Sequence, residues 1–118
     1  MKSPKIINFK KFTKTSGKLL PITFNNKFPI KVKRIFFIYG KKKYIRGDHA
    51  HKKCSQFFVP VLGKSILEIK TPTVKKRIML NHLSKIAVLV PPKYWCSIKF
   101  INKNSILMVA CDQHYNVN

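Results

Sequence analysis

The feature that most restricts the fold is the chain's punctuation. Strand-sized apolar runs are each closed within a few residues by Gly, Pro or Asn. Arg34-Ile35-Phe36-Phe37-Ile38-Tyr39 is one run, Ser65-Ile66-Leu67-Glu68-Ile69-Lys70 another, and Ile86-Ala87-Val88-Leu89-Val90 a third. The second alternates as a half-buried strand must, and Pro91-Pro92 stops the third. No long window repeats its apolar residues at the 3.6-residue period of an amphipathic helix. Strands are expected over Lys5 to Phe9, Leu19 to Phe24 and Lys31 to Tyr39. A long one should run from Arg46 to His51 and on through Gln56 to Val61. Others are Ser65 to Lys70, Val74 to Leu80, Ile86 to Val90, Trp95 to Ile101 and Ile106 to Ala110. Phe12 to Gly17, Asn25-Asn26-Lys27 and Thr71-Pro72-Thr73 read as turns, Gly40 to Lys43 as an exposed loop, and Gly63-Lys64 as a tight connection. About ten short strands with turns roughly every 8 to 12 residues mean an all-β sandwich or small barrel.

Size bounds the rest. At 118 residues the chain supports one hydrophobic core and is expected to be a single domain over 1–118. No apolar run approaches the roughly 18 to 20 residues needed to cross a bilayer. Met1-Lys2-Ser3-Pro4-Lys5 carries charge with no apolar stretch behind it, so no signal peptide is expected. Cys54, Cys96 and Cys111 are scattered and odd in number, which suits reduced thiols in a cytoplasmic protein.

The formal charge is +22, and the acidic residues are Asp48, Glu68 and Asp112 alone. Such a balance raises nucleic acid as a partner. However, the excess is nearly all lysine spread along the chain, with Arg34, Arg46 and Arg77 as the only arginines. Specific readers of phosphate and base favour the arginine fork. Abundant Lys, Ile, Asn and Phe also suit an AT-rich coding sequence. A diffuse positive field can still draw in an anionic small substrate.

The chemistry concentrates in Arg46-Gly47-Asp48-His49-Ala50-His51-Lys52. In an extended strand, residues two apart face the same way, so His49 and His51 are expected side by side. Two imidazoles titrating near neutrality suit either a metal site or proton transfer between adjacent atoms.

HxH at a strand start, a Gly about a dozen residues on and a later Pro91-Pro92 with Trp95 resemble the double-stranded β-helix of the cupin superfamily, a jelly-roll-like barrel. Metal-binding cupins add a Glu shortly after HxH and a further His after a proline. Here Cys54-Ser55-Gln56 and Tyr94-Trp95-Cys96-Ser97 stand in those places. Two imidazoles alone do not close a metal site of useful affinity, so no metal is expected. Cys96 as a replacement thiolate is the route by which one would bind.

The run Ile30 to Tyr39, then Arg46 to Lys53, then Gln56, resembles one cupin subgroup, the WxcM-like nucleotide-sugar 3,4-ketoisomerases. Gly63-Lys64-Ser65, Pro91-Pro92 with Trp95, and Leu107-Met108-Val109-Ala110 before Asp112-Gln113-His114-Tyr115 also match. The likeness spans about residues 5 to 116. Members usually continue past this point into an acidic, tyrosine-rich segment, which does not follow Asn118 here.

The resemblance implies conversion of dTDP-4-keto-6-deoxyglucose to a 3-keto isomer through an enediol. That reaction needs an acid, a base and polar stabilisation but no cofactor. It implies that His49 and His51 are catalytic, and His51 is taken as the main base. Arg46 is expected on the diphosphate, because a guanidinium pairs bidentately with phosphate oxygens. Tyr39, Gln56, Trp95 and Tyr94 are expected to bind the rest of the substrate. Asp48 is read as structural, and His114 and Tyr115 as substrate or interface contacts. Related proteins pair as homodimers, often exchanging an N-terminal strand, here Lys5 to Phe9, and feed deoxysugars to surface glycans. No membrane partner is expected.

Two other classes compete. One is a metal-dependent cupin oxygenase using His49, His51 and Cys96. The other is a basic β-barrel that binds nucleic acid, which would interleave exposed aromatics with cations on one sheet face. The aromatics here lie mostly in apolar strands, so nucleic acid is not expected as a partner.

Overall fold

A computed structural model describes residues 3–8, 12–14, 17–42, 45–84 and 86–114, with 14 and 45–49 described by backbone alone. Two antiparallel sheets face one another. The first is ordered β1 (Lys5–Asn8), β9 (Ile86–Val90), β6 (Gln56–Leu62), β11 (Asn104–Cys111) and β4 (Arg34–Lys41). The second is ordered β5 (Ile45–Ala50), β10 (Trp95–Phe100), β7 (Lys64–Lys70) and β8 (Lys75–Asn81). β2 (Phe12–Lys14) and β3 (Gly17–Leu19) make a separate hairpin. Among the described residues there is no helix, so none is long and apolar enough to cross a membrane.

Alternation builds the interior. Leu67 and Ile69 of β7, Cys96, Ile98 and Phe100 of β10, and Phe58, Val88, Leu107 and Val109 of the five-stranded sheet interlock between the layers. At Gly40 the ring of Phe100 from the other sheet lies directly against the β4 backbone. A Cβ there would enter the ring of Phe100, a fully buried side chain. Burying that ring stabilises the fold by about 1.5–3 kcal/mol. β4 therefore continues through Gly40 to Lys41 instead of yielding to the expected loop.

A second apolar layer lies on the outer face of the five-stranded sheet. Phe57, Val59, Ala87, Leu89, Met108 and Ala110 face outward there, covered by Leu20, Ile22, Phe28, Ile30 and Val32. Phe28 sits on Phe57 with ring centroids 4.9 Å apart. The expected strand from Leu19 to Phe24 is absent, because β3 ends at Leu19 and 20–33 runs as an irregular strap. Pro21 and Pro29 lack the N–H a ladder requires, so apolar anchoring holds the strap instead. The expected turn at Phe12 to Gly17 is likewise a short hairpin, with Gly17 at a φ of 142°.

The largest departure lies at the centre of the chain. The strand expected to run from Arg46 to Val61 is two strands in different sheets. β5 ends at Ala50, 51–55 crosses between the layers, and β6 begins at Gln56. The crossing is tied on both sides. The Lys93 N–H donates to the His51 carbonyl at 2.7 Å, and the Ser55 N–H donates to Asp112 Oδ1 at 2.8 Å. β1 pairs with β9 of its own chain, Lys5 opposite Leu89 through Asn8 opposite Ile86; Phe9 of the expected strand lies outside the described residues.

Candidate active site

The crossing at 51–55 opens onto one end of the space between the sheets. β5 brings Arg46, Asp48 and His49 to this region, with position 49 opposite Cys96 and position 46 opposite Ile98 in register. The side chains of Arg46, Asp48 and His49 lie outside what the structure describes. His51 follows the end of β5, half-buried, with its carbonyl held by Lys93. Lys93 holds a φ of 76°, the left-handed region that costs a non-glycine residue energy. The turn after Pro91-Pro92 therefore carries strain where it meets His51.

The facing wall is polar. Gln56 is 9% exposed on the inner face of β6, between Val90 and Cys111 in register, and Cys111 in turn opposes Arg34. Arg34 Nη2 donates to Cys111 Sγ at 3.7 Å, and its guanidinium lies 5.1 Å from the centroid of the Phe36 ring. The Cys54 S–H donates to the Ser55 carbonyl at 3.3 Å. The neighbouring Cys54 thiol, with Arg34 and the Gln56 amide, pulls Cys111 below the usual thiol range, while Cys111 and burial hold Cys54 up. Across the gap, burial pushes the Cys96 thiol up to about 12. The Cys96 S–H points back to the Tyr94 carbonyl at 3.8 Å. Tyr94 is half-buried against the inner core.

Of the expected substrate contacts, Gln56 and Tyr94 are brought to this end of the interior, together with His51. Tyr39 and Trp95 are not. Tyr39 is 75% exposed on the outer face of β4, with Phe37 and Ile35, because inner positions on that strand are even-numbered. Trp95 is 36% exposed on the outer face of β10, opposite Ala50 and Lys70, with the Lys70 ammonium 5.7 Å above its ring. A base held in the interior would not meet that ring. His114 is exposed beyond β11, and Tyr115 lies outside the described residues.

Sequence reasoning missed Arg34 and Cys111. Arg34 shares parity with Phe36 and Ile38 at the head of β4, but both faces of that strand are apolar in sequence, and only the structure shows this parity to be the inward one. A cation at an inner position of an apolar strand marks a polar end to a core. Among the described residues, no three His, Cys, Asp or Glu side chains cluster to hold a metal ion. Gln56, at the first of the two departing positions, offers a neutral amide where metal sites use a carboxylate, imidazole or thiolate.

The curated relative TDP-4-oxo-6-deoxy-alpha-D-glucose-3,4-oxoisomerase of Aneurinibacillus thermoaerophilus is 29% identical over 113 residues, covering 95% of this chain and 81% of its own length. Among solved structures, the 3,4-ketoisomerase QdtA of Thermoanaerobacterium thermosaccharolyticum superposes with a TM-score of 0.89 at 25% identity. The match covers 99% of this chain and 85% of that one. That structure is a histidine-to-asparagine mutant in complex with TDP-4-keto-6-deoxyglucose. A 3,4-ketoisomerase from Helicobacter canadensis superposes with a TM-score of 0.88 at 28% identity, covering 98% of this chain and 86% of that one. These neighbours give the all-β architecture its name, a small cupin barrel. The model of the family FdtA, WxcM-like, C-terminal, matches residues 2–118, and the chain belongs to that family.

Proposed function

We propose that this chain is a nucleotide-sugar 3,4-ketoisomerase that converts TDP-4-keto-6-deoxyglucose to its 3-keto isomer. The observation that carries this reading is the family match over residues 2–118, with fold similarity over nearly the whole chain to an enzyme holding that sugar nucleotide. The reaction removes the proton from C3, forms an enediol, and places a proton on C4. The hydroxyl proton on the C3 oxygen leaves as the C4 oxygen gains one. His51 serves as the carbon base, and His49 assists the oxygens. Arg46 takes the diphosphate, while Gln56 and Tyr94 contact the sugar or base.

Support comes from the polar wall at the end of the interior, the half-buried position of His51 and its anchored carbonyl.

The enzyme works as a cytoplasmic homodimer supplying a deoxysugar for a surface glycan. Ile35, Phe37 and Tyr39 form an exposed apolar stripe on β4, which a second copy would cover. Tyr39 reaches substrate only where such pairing builds part of the pocket. β1 is an edge strand, and its ladder with β9 is one that a partner's β1 could make instead.

The test is incubation with TDP-4-keto-6-deoxyglucose, followed by NMR of the sugar carbons. A 3-keto product is expected, and His51→Asn should lower turnover by about 10²–10⁴-fold while TDP still binds. Folded protein that leaves the substrate unchanged sinks the reading. A fully active His51→Asn protein removes His51 as the base.

A further inference from the structure

One sheet face gathers part of the +22 charge around an aromatic ring. Alternation along β7, β8 and β10 turns Lys70, Lys75, Arg77 and Lys99 outward, all exposed. The carboxylate among them, Glu68, is already gripped by Arg77 Nε at 3.2 Å and Lys75 Nζ at 3.8 Å. Trp95, the chain's single tryptophan, lies on the same face, opposite Lys70 in register. This meets the condition that aromatic strands alone did not: an exposed ring interleaved with cations on one sheet.

We infer that the outer face of the four-stranded sheet binds single-stranded nucleic acid, with the cations tracking phosphates and a base taking the place of the Lys70 ammonium over the Trp95 ring. Charge complementarity selects a polyanion. A second copy of this chain cannot supply it, because each copy has three acidic residues. Glu68 is already ion-paired, and Asp112 accepts the Ser55 N–H. Among polyanions, the ring favours one that offers flat bases, since stacking on an aromatic works for any base sequence. Trp95 stands within a strand, not on a protruding loop that would wedge into a bilayer.

The test follows Trp95 fluorescence as the full chain is titrated with oligodeoxycytidine of about 15 nucleotides, a length spanning one such site. Saturating TDP is present throughout, to occupy the sugar-nucleotide site. Saturable quenching is expected, with affinity falling roughly 20- to 50-fold from about 50 to about 200 mM salt, as three to four neutralised phosphates require. The double variant Lys70→Gln/Lys99→Gln should bind at least about tenfold more weakly, with unchanged melting temperature and turnover. Three results overturn the inference: oligonucleotide binding without quenching, a double variant that binds like the parent, or a blue shift with phosphatidylserine vesicles but no response to oligonucleotide. The titration needs no turnover, so its failure and that of the isomerase reading are separable.

Discussion

The two sheets follow the same alternation inward and opposite chemistry outward. Both bury Leu, Ile, Val and Phe in the space they share. The five-stranded sheet is also apolar on its outer face, where the 20–33 strap covers one part and Ile35, Phe37 and Tyr39 stay exposed in another. The four-stranded sheet turns Lys70, Lys75, Arg77 and Lys99 to water. A strand with one apolar face needs only the opposing sheet. A strand with two needs further cover, from its own chain or from a neighbour. The difference teaches that partner surfaces here are written in the outward residues of each sheet, while the shared interior fixes only the barrel.

Three measurements break or sharpen that contrast. The largest effect is expected from Ile35→Glu/Phe37→Glu. Light scattering should then report the mass of one chain where the parent reports two. Lys75→Glu/Arg77→Glu, on the other sheet, should leave the pairing intact; equal masses for parent and first variant would deny the apolar stripe its role. Next comes stability. Phe57→Ala removes the ring beneath Phe28 and should cost about 3–5 kcal/mol in chemical denaturation. Arg77→Ala loses an exposed ion pair and should cost at most about 1 kcal/mol.

The smallest effect concerns pH. The unfolded Cys96 thiol ionises above the ordinary value of 9.0, while the folded one stays protonated to about 12. Across that window the unfolded chain holds fewer protons. Stability should therefore fall as pH rises, by about 1.4 kcal/mol per unit from this group. Cys96→Ala should flatten the slope by that amount; identical slopes would mean the thiol is not kept neutral.

Where the sequence was legible, one face of the pattern was polar. The alternation of β7 and the Pro91-Pro92 stop after β9 locate those strands to within a residue. The Trp95, Ser97, Lys99 parity against Cys96, Ile98, Phe100 points Trp95 outward, away from the pocket that the family resemblance implies for it. On β4 both faces are apolar, so no pattern could say whether Tyr39 faced in or out. The break after Ala50 was hidden for a related reason. Cys54, Gln56 and Phe58 keep the alternation going while the backbone changes sheets, and only the ties of His51 to Lys93 and Ser55 to Asp112 reveal it. Arg34 and Cys111 lie 77 residues apart, so their meeting depends on the β4–β11 register, which short-range pattern cannot supply.

The passage from β5 to β6 acts as a staple between the barrel's two walls. Opening the backbone at the 71–73 hairpin would leave that staple whole. A circular permutant cut between Lys52 and Lys53 would instead release the walls from each other at the end where His51 sits. The same five residues thus carry mechanical continuity and the His51 imidazole, and the barrel cannot loosen there without moving that ring.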